Sequence, residues 1–289
     1  MTYAYKFGAA CLDLARELTD VMDSAATADG STTPFITLID TSMPIPTPAD
    51  DFYNQGTIFF TSGANIDLMR RVTDFTNSTG TYQFNIPATG ITARTAALDT
   101  YSVMDRHIPL YVLKQSINKA LMQIGDVDKL DVTTVTVADQ LSYTLPSGVF
   151  HVKRVEVGTS LTTPYDYEEV SHWEEVNGVL IFKTGHAPDA AGYLLRITYN
   201  APYTAITADT TAIATNISPE YIKWVAAAAA YRWKLKKIKG DDPYMIQMMN
   251  EAIVNAEDRA REHRPKMVLT GKVPQYSPWA VLDNERELG

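Results

Sequence analysis

The feature that most constrains this chain is an alternation of two periods. Segments with apolar residues three or four apart are separated by two long stretches of strand-like runs, in the clearest of which, 81–86 and 193–200, every second residue is apolar. A helix buries a stripe and a strand buries every second residue, so neither element satisfies both patterns. The chain must therefore combine helices with half-buried sheets.

Four helices are predicted. The first spans roughly 5–24, with Leu14, Leu18, Val21 and Met22 on one side and Arg16, Glu17 and Asp20 on the other. The second follows Pro109, which suits a first helical turn, and ends at Gly125; Leu110, Leu113, Ile117, Leu121 and Ile124 form its stripe. The third opens on Ser218 as N-cap, with Pro219 and Glu220 behind it. It runs through the alanines at 226–230 and closes on Lys234, Lys236, Lys237 and Lys239 before Gly240, cations that suit the negative end of a helix dipole. The fourth restarts at the cap Asp242 and Pro243, presents Met245, Met248, Met249, Ile253 and Ala256 on one face, and stops at Pro265. The short turn between them predicts an antiparallel helical hairpin.

Strands are expected at 35–40, 57–62, 70–75 and 81–86, separated by turns rich in Asn, Gly and Ser. A second set is expected at 132–137, 149–157 and 193–200, with Pro146-Ser147-Gly148 as a turn. The expected fold class is α+β: a helical bundle as the core, two antiparallel β modules inserted in its connections, and an extended C-terminal arm. The boundaries are 1–30 for the N-terminal core helix, 31–105 for the first β module, 106–125 for the core helix between them, 126–205 for the second β module, 206–265 for the hairpin and 266–289 for the arm. In the arm, Pro265, Pro274 and Pro278 oppose regular structure, yet Val268, Leu269, Val273, Tyr276, Trp279, Val281 and Leu282 are too apolar for a solvated tail. Such an arm packs on its own domain or on a neighbouring subunit.

With 289 residues the chain hides roughly 75% of its unfolded surface on folding, so a core needs no disulfide or metal. The single cysteine, Cys11, has no partner in the chain and is read as a buried, inert thiol on the first helix. No run reaches the length of a membrane-spanning helix, and the N-terminus lacks the basic and apolar segments of a secretory signal. The net charge is −9, and residues 1–100 carry eleven acids against five bases. That balance repels phosphate and argues against a general nucleic-acid binder.

Chemistry is hard to place. His107, His151, His172, His186 and His263 show no HExxH spacing, and one cysteine cannot build a cysteine-rich zinc site. Phosphate-binding glycine loops and a nucleophile elbow are absent. Asp126, Asp128 and Asp131 lack the glycine and distal glutamate of a calcium loop and are read as a solvated connection. Asp166, Glu168, Glu169, Glu174 and Glu175, interleaved with Tyr165, Tyr167 and Trp173, are read as an exposed loop or interface; the alternative is a sugar-binding or sugar-cleaving surface. The lysines at 234–239 are read as helix-end cations rather than a DNA contact. The expectation is a non-enzymatic protein without cofactor or metal.

Several runs resemble the head-to-tail adaptor proteins of tailed bacteriophages: LKQSINKALMQIGDVDKLD at 113–131, VADQLSYTLPSGVFHVKRVEV at 137–157, LLRITYNAPYTAITADT at 194–210 and ISPEYIKWVAAAAAYRW at 217–233. GTIFFTSGANIDLMRRVTDFTNSTGTYQF at 56–84 is similar to the β insertion of many of these proteins. The resemblance implies a helical core with β insertions, assembled in the host cytoplasm as a twelve-subunit homo-oligomeric ring in the virion neck. It implies a portal protein above, a tail or neck protein below, DNA passing through without specific binding, no membrane and no catalysis. It also implies that the C-terminal arm reaches the portal. Val273, Tyr276, Trp279, Val281 and Leu282 are then the candidate interface residues, with Tyr276 and Trp279 as anchors because aromatic side chains dominate interface energetics. Stoppers, tail terminators and other minor neck proteins are the neighbouring alternative.

Overall fold

A computed structural model describes residues 5–31, 36–43, 48–78, 80–87, 91, 93, 95–124, 126–161, 166–213, 218–238 and 242–264. The chain opens with α1 (Phe7–Leu18) and β1 (Val21–Ala25), followed by β2 (Thr37–Asp40), β3 (Thr57–Phe60), β4 (Met69–Arg71), β5 (Asp74–Ser78), β6 (Thr81–Asn85) and β7 (Thr100–Met104). Then come α2 (Leu110–Gln123), β8 (Asp126–Asp131), β9 (Ser142–Thr144), β10 (His151–Gly158), β11 (Tyr167–Val170), β12 (Trp173–Val176), β13 (Val179–Phe182) and β14 (Leu195–Pro202). The helices α3 (Pro219–Lys237) and α4 (Pro243–Glu262) complete the described elements.

The expected helical-bundle core is not what forms. Among the described residues four helices stand against fourteen strands, and the strands make four antiparallel sheets ordered β1-β7-β3-β4, β2-β6-β5, β11-β10-β14-β8 and β12-β13-β9. The protein is mostly β, with its two longest helices together at the C-terminal end. The burial pattern gives the reason. The helices do share an apolar cluster, but Phe59, Met69 and Met104 from the first sheet and Val127 from β8 complete it. Two further clusters belong to strands and their connections: one around Phe75, Phe84 and Tyr101, the other around Leu180, Leu195 and Ile197. Helical periodicity shows which face of a helix is buried. It does not show that the covering surface is a sheet.

Each β region leaves and returns at adjacent points. β1, directly after α1, pairs with β7, directly before α2, in the register Val21↔Met104 to Ala25↔Thr100. β8, directly after α2, pairs with β14 from Asp126↔Pro202 to Ile197↔Asp131. Antiparallel closure of this kind lets a long insertion hang from a fixed base.

Local differences from the expectation have local causes. α1 ends at Leu18, not near 24, because Thr19 is already extended and Val21–Ala25 is drawn into the ladder with β7. The run at 132–137 is not a strand: Val135 makes one isolated bridge to Leu194, and Thr136 N donates to Tyr193 O at 2.7 Å. The strand precedes it, at Asp126–Asp131, where a solvated connection was expected. Asp131 ends that strand by accepting from the backbone N–H of Thr133 and from the hydroxyls of Thr133 and Thr134. The expected single strand at 70–75 is split between β4 and β5.

The helix punctuation holds. Pro219 and Pro243 occupy first turns, and the Asp242 side chain accepts from the N–H groups of Tyr244 and Met245. Ser218 occupies the N-cap position but makes no side-chain capping bond.

Candidate assembly surface

The junction where both β regions meet the helices is built around Asp209, 6% exposed, in the connection between β14 and α3. Its carboxylate accepts from Arg70 Nη1 at 2.7 Å and Met69 N–H at 3.1 Å, both on β4, and from Lys114 Nζ on α2 at 2.7 Å. The backbone carbonyl of the same residue accepts from Gly8 N–H on α1 at 2.8 Å. A Cβ at Gly8 would stand 1.9 Å from the Asp67 carbonyl oxygen, so only glycine lets these segments close. Asn118 of α2 then pins the same connection through two bonds to the backbone of Ile206. Charge-assisted bonds of this kind are stronger than neutral ones and leave few of the buried lone pairs unmet. No sequence signal marked Asp209. It sits in a polar connection that reads as a loop, and its partners lie far away in sequence.

The C-terminal hairpin is fixed from one side. Tyr231 O–H and Lys234 Nζ of α3 donate to the carbonyls of Glu17 and Leu18, the last residues of α1. Those carbonyls have no intrahelical partner, so α3 caps α1. Burial at this contact pulls the Lys234 ammonium below the usual lysine range, with Asp105 opposing the shift. Trp224 lies under the Arg259 guanidinium, 4.4 Å from its ring centre, and Arg232 pairs with Glu257. These contacts join α3 to α4.

The other side of the hairpin is open. On α4 the buried residues are Ile253, Ala256 and Ala260, while Tyr244, Met245, Met248 and Val254 are exposed. The predicted apolar face of α4 is therefore only half covered: Ile253 and Ala256 are buried, Met245 and Met248 exposed. Methionine side chains adapt to irregular surfaces, which suits them to a contact formed on assembly. Arg264 is the last described residue, and the arm expected at 266–289 lies beyond it. Val273, Tyr276, Trp279, Val281 and Leu282 lie outside the described residues.

The remaining sequence candidates resolve as structural groups. Cys11 is fully buried, and burial pushes its thiol far above the usual range. The acid–aromatic run divides between β11 and β12. Glu169 pairs with Arg154, Glu175 accepts from Val152 N–H, Trp173 donates to Val170 O, and Tyr167 lies against the Arg196 guanidinium. Tyr165 falls outside the described residues. Asp128 pairs with Lys153 and Asp131 closes β8, so Asp126, Asp128 and Asp131 do not converge on a cation. Lys234 caps α1 and Lys237 lies near the Trp233 ring, while Lys239 is outside the described residues. Among the described residues no group of three or more His, Cys, Asp or Glu side chains gathers as a metal site, and no helix is long and apolar enough to cross a membrane. The structure does bring His172 and His186 together, a pair that spacing along the chain did not suggest.

No family model matches the chain, and no curated protein matches it significantly.

Proposed function

We propose that this protein is a head-to-tail adaptor of a tailed bacteriophage, a ring-forming virion protein between the portal and the tail. The observation that carries the reading is the closure of both β regions at their bases. β1 with β7, and β8 with β14, return the chain beside its point of departure, so each region is an insertion between consecutive helices. The phrases that resemble adaptor proteins fall on these same elements: α2 with β8, β10, β14 and the start of α3. The mostly-β build departs from the helical core that the resemblance implied, so the reading rests on the insertion pattern and not on that core.

In this reading each subunit contacts its neighbours through two different side faces, as a closed head-to-tail ring requires. The open face of α4 and the arm that follows it meet the portal, and a tail or neck protein binds below. DNA passes without specific binding, in keeping with a net charge of −9. Two of the carboxylates on β11 and β12 are engaged within the fold, Glu169 by Arg154 and Glu175 by the Val152 N–H, which supports an architectural use of this surface over the sugar-binding alternative.

The test is electron microscopy of the purified chain mixed with the portal of the same phage. A concentric ring on the portal's tail-facing end, sharing its symmetry, is the expected result. A bare portal with both proteins folded would redirect the assignment to a stopper or another minor neck protein. Deleting residues 266–289 should abolish portal binding; unchanged binding would remove the arm from the mechanism.

A further inference from the structure

We propose that His172 and His186 form a two-imidazole surface site for a late first-row divalent cation, Cu2+ foremost and Ni2+ next. The inference is independent of the adaptor reading. The two residues are brought together by the β12–β13 hairpin. Its register runs from Val176↔Val179 to Trp173↔Phe182, which puts His172 one residue before the ladder and Lys183 one residue after it. Lys183 N–H donates to His172 O at 2.9 Å, extending the ladder by one bond. The chain then turns back: His186 N–H donates to Lys183 O at 2.9 Å, with Gly185 at φ 81° in the third position of the turn. Positive φ there is what glycine tolerates without strain. Both imidazoles are thus mounted on hydrogen-bonded backbone, not on free loop.

The ring centres are 4.0 Å apart and the planes 35° from parallel, and both side chains face solvent. Two imidazoles bound side by side to one metal, with metal–nitrogen bonds of about 2.0 Å, have ring centres roughly 4.5 Å apart at a right angle and roughly 5 Å apart at a tetrahedral angle. As they stand the rings are stacked at a tilt; both are exposed, and a turn about their side-chain bonds aims one nitrogen of each at a shared ion. The affinity order of imidazole sites, which rises through Ni2+ to Cu2+, sets the choice of metal. No third protein donor gathers there among the described residues. Water completes the coordination, and the site is an accessible one of modest affinity.

The test is calorimetric titration of the full chain with CuCl2 and NiCl2 at neutral pH in a non-coordinating buffer. The wild type is expected to bind one Cu2+ at this site, more tightly than Ni2+. His172→Ala and His186→Ala should each weaken it by at least about tenfold, since loss of a ligand costs no less than loss of the outer-shell partner that orients one. His263→Ala should leave it unchanged. Both imidazoles are exposed, so neither substitution threatens folding. Electron paramagnetic resonance of the Cu2+ form gives a second readout, with coupling to two imidazole nitrogens in the wild type and one in each variant. If the two variants bind Cu2+ as tightly as the wild type, or the wild-type spectrum shows fewer than two imidazole nitrogens, the site does not exist.

Discussion

The two β regions share antiparallel architecture but hold a buried carboxylate by opposite means. In the first, the centre is aromatic: Phe84 packs against Phe75, Tyr53 and Tyr101 with ring centres 4.9, 5.7 and 5.5 Å away. Inside that centre lies a carboxylate, Asp40, fully buried, which accepts from Tyr101 O–H at 2.7 Å and Ser24 O–H at 2.5 Å. In the second, the centre is largely aliphatic, built on Val155, Leu180, Leu195 and Ile197, and the polar network runs over the outer face of β10, β11 and β14. There Glu156 lies between Arg196, with N···O distances of 2.5 Å, and Arg154, at 2.9 Å, and Arg154 continues to Glu169 at 3.1 Å. One region closes over a carboxylate held by hydroxyls; the other buries Glu156 beneath arginines that themselves reach solvent. A buried acid without a cation depends on every donor it has. A carboxylate held by arginines depends on pH, and salt reaches only the outer pair, Arg154 with Glu169.

Four substitutions probe that contrast. The largest effect belongs to Phe84→Ala, which opens a cavity in the aromatic centre and should cost about 3–5 kcal/mol, read as a drop in the urea midpoint. An equivalent loss from an outer-face residue of the second region would erase the distinction. Next is Asp209→Ala, which strips the shared base from under both regions. It leaves Arg70 and Lys114 without their acid and should cost about 2–3 kcal/mol. Hydrogen exchange should show the protection of β4 and of the segment after β14 falling together.

Tyr101→Phe removes one of the hydroxyls that hold Asp40 and should cost about 1–1.5 kcal/mol by the same denaturation assay. Burial raises the Tyr101 phenol far above its usual range, and its bond to Asp40 adds to the shift, so this effect should not change between pH 6 and pH 9. Glu156→Gln should behave differently. The hydrogen bonds from Arg196 hold the Glu156 carboxyl below the usual glutamate range, with smaller help from Arg154. A carboxyl depressed in the folded state adds stability above its unfolded pKa of about 4.3 and loses it as the pH falls through the folded value. The variant should therefore be weaker by about 1 kcal/mol at pH 7, and the gap should close in acid. A gap that persists at pH 3 would show that shape, not charge, is what Glu156 supplies.

The smallest effect is expected outside both regions. Met245→Asp with Met248→Asp, on the open face of α4, should change stability by no more than about 0.5 kcal/mol while weakening portal binding. A large loss of stability would mean that the face is covered within the subunit.

Much of this was legible in the sequence, and the failures share a cause. α2, α3 and α4 were readable because caps, prolines and alanines act within a turn or two, and Tyr82, Phe84 and Ile86 alternate whatever they pair with. β1 was misread as helix because Val21 and Met22 fit the helical spacing of α1; the pairing that overrules it comes from Thr100–Met104. β8 was misread as a solvated link because its exposed acids, Asp126 and Asp128, hid Val127 and Asp131, the residues that face inward. The short strands β11 and β12 went unread because Glu168, Glu169, Glu174 and Glu175 fill them with acids that read as exposed loop.

The sequence by itself determined where α2, α3 and α4 start, which strand faces are apolar, that Cys11 is buried, and that the chain carries excess acid. These follow from local backbone preference, side-chain periodicity and charge. Only the tertiary structure decided that sheets, not a helical bundle, dominate the molecule, that Asp209 joins α2 to β4, that half of α4 is left open, and that His172 meets His186. Those outcomes depend on contacts between residues distant in the chain, and such contacts leave no periodic trace along it.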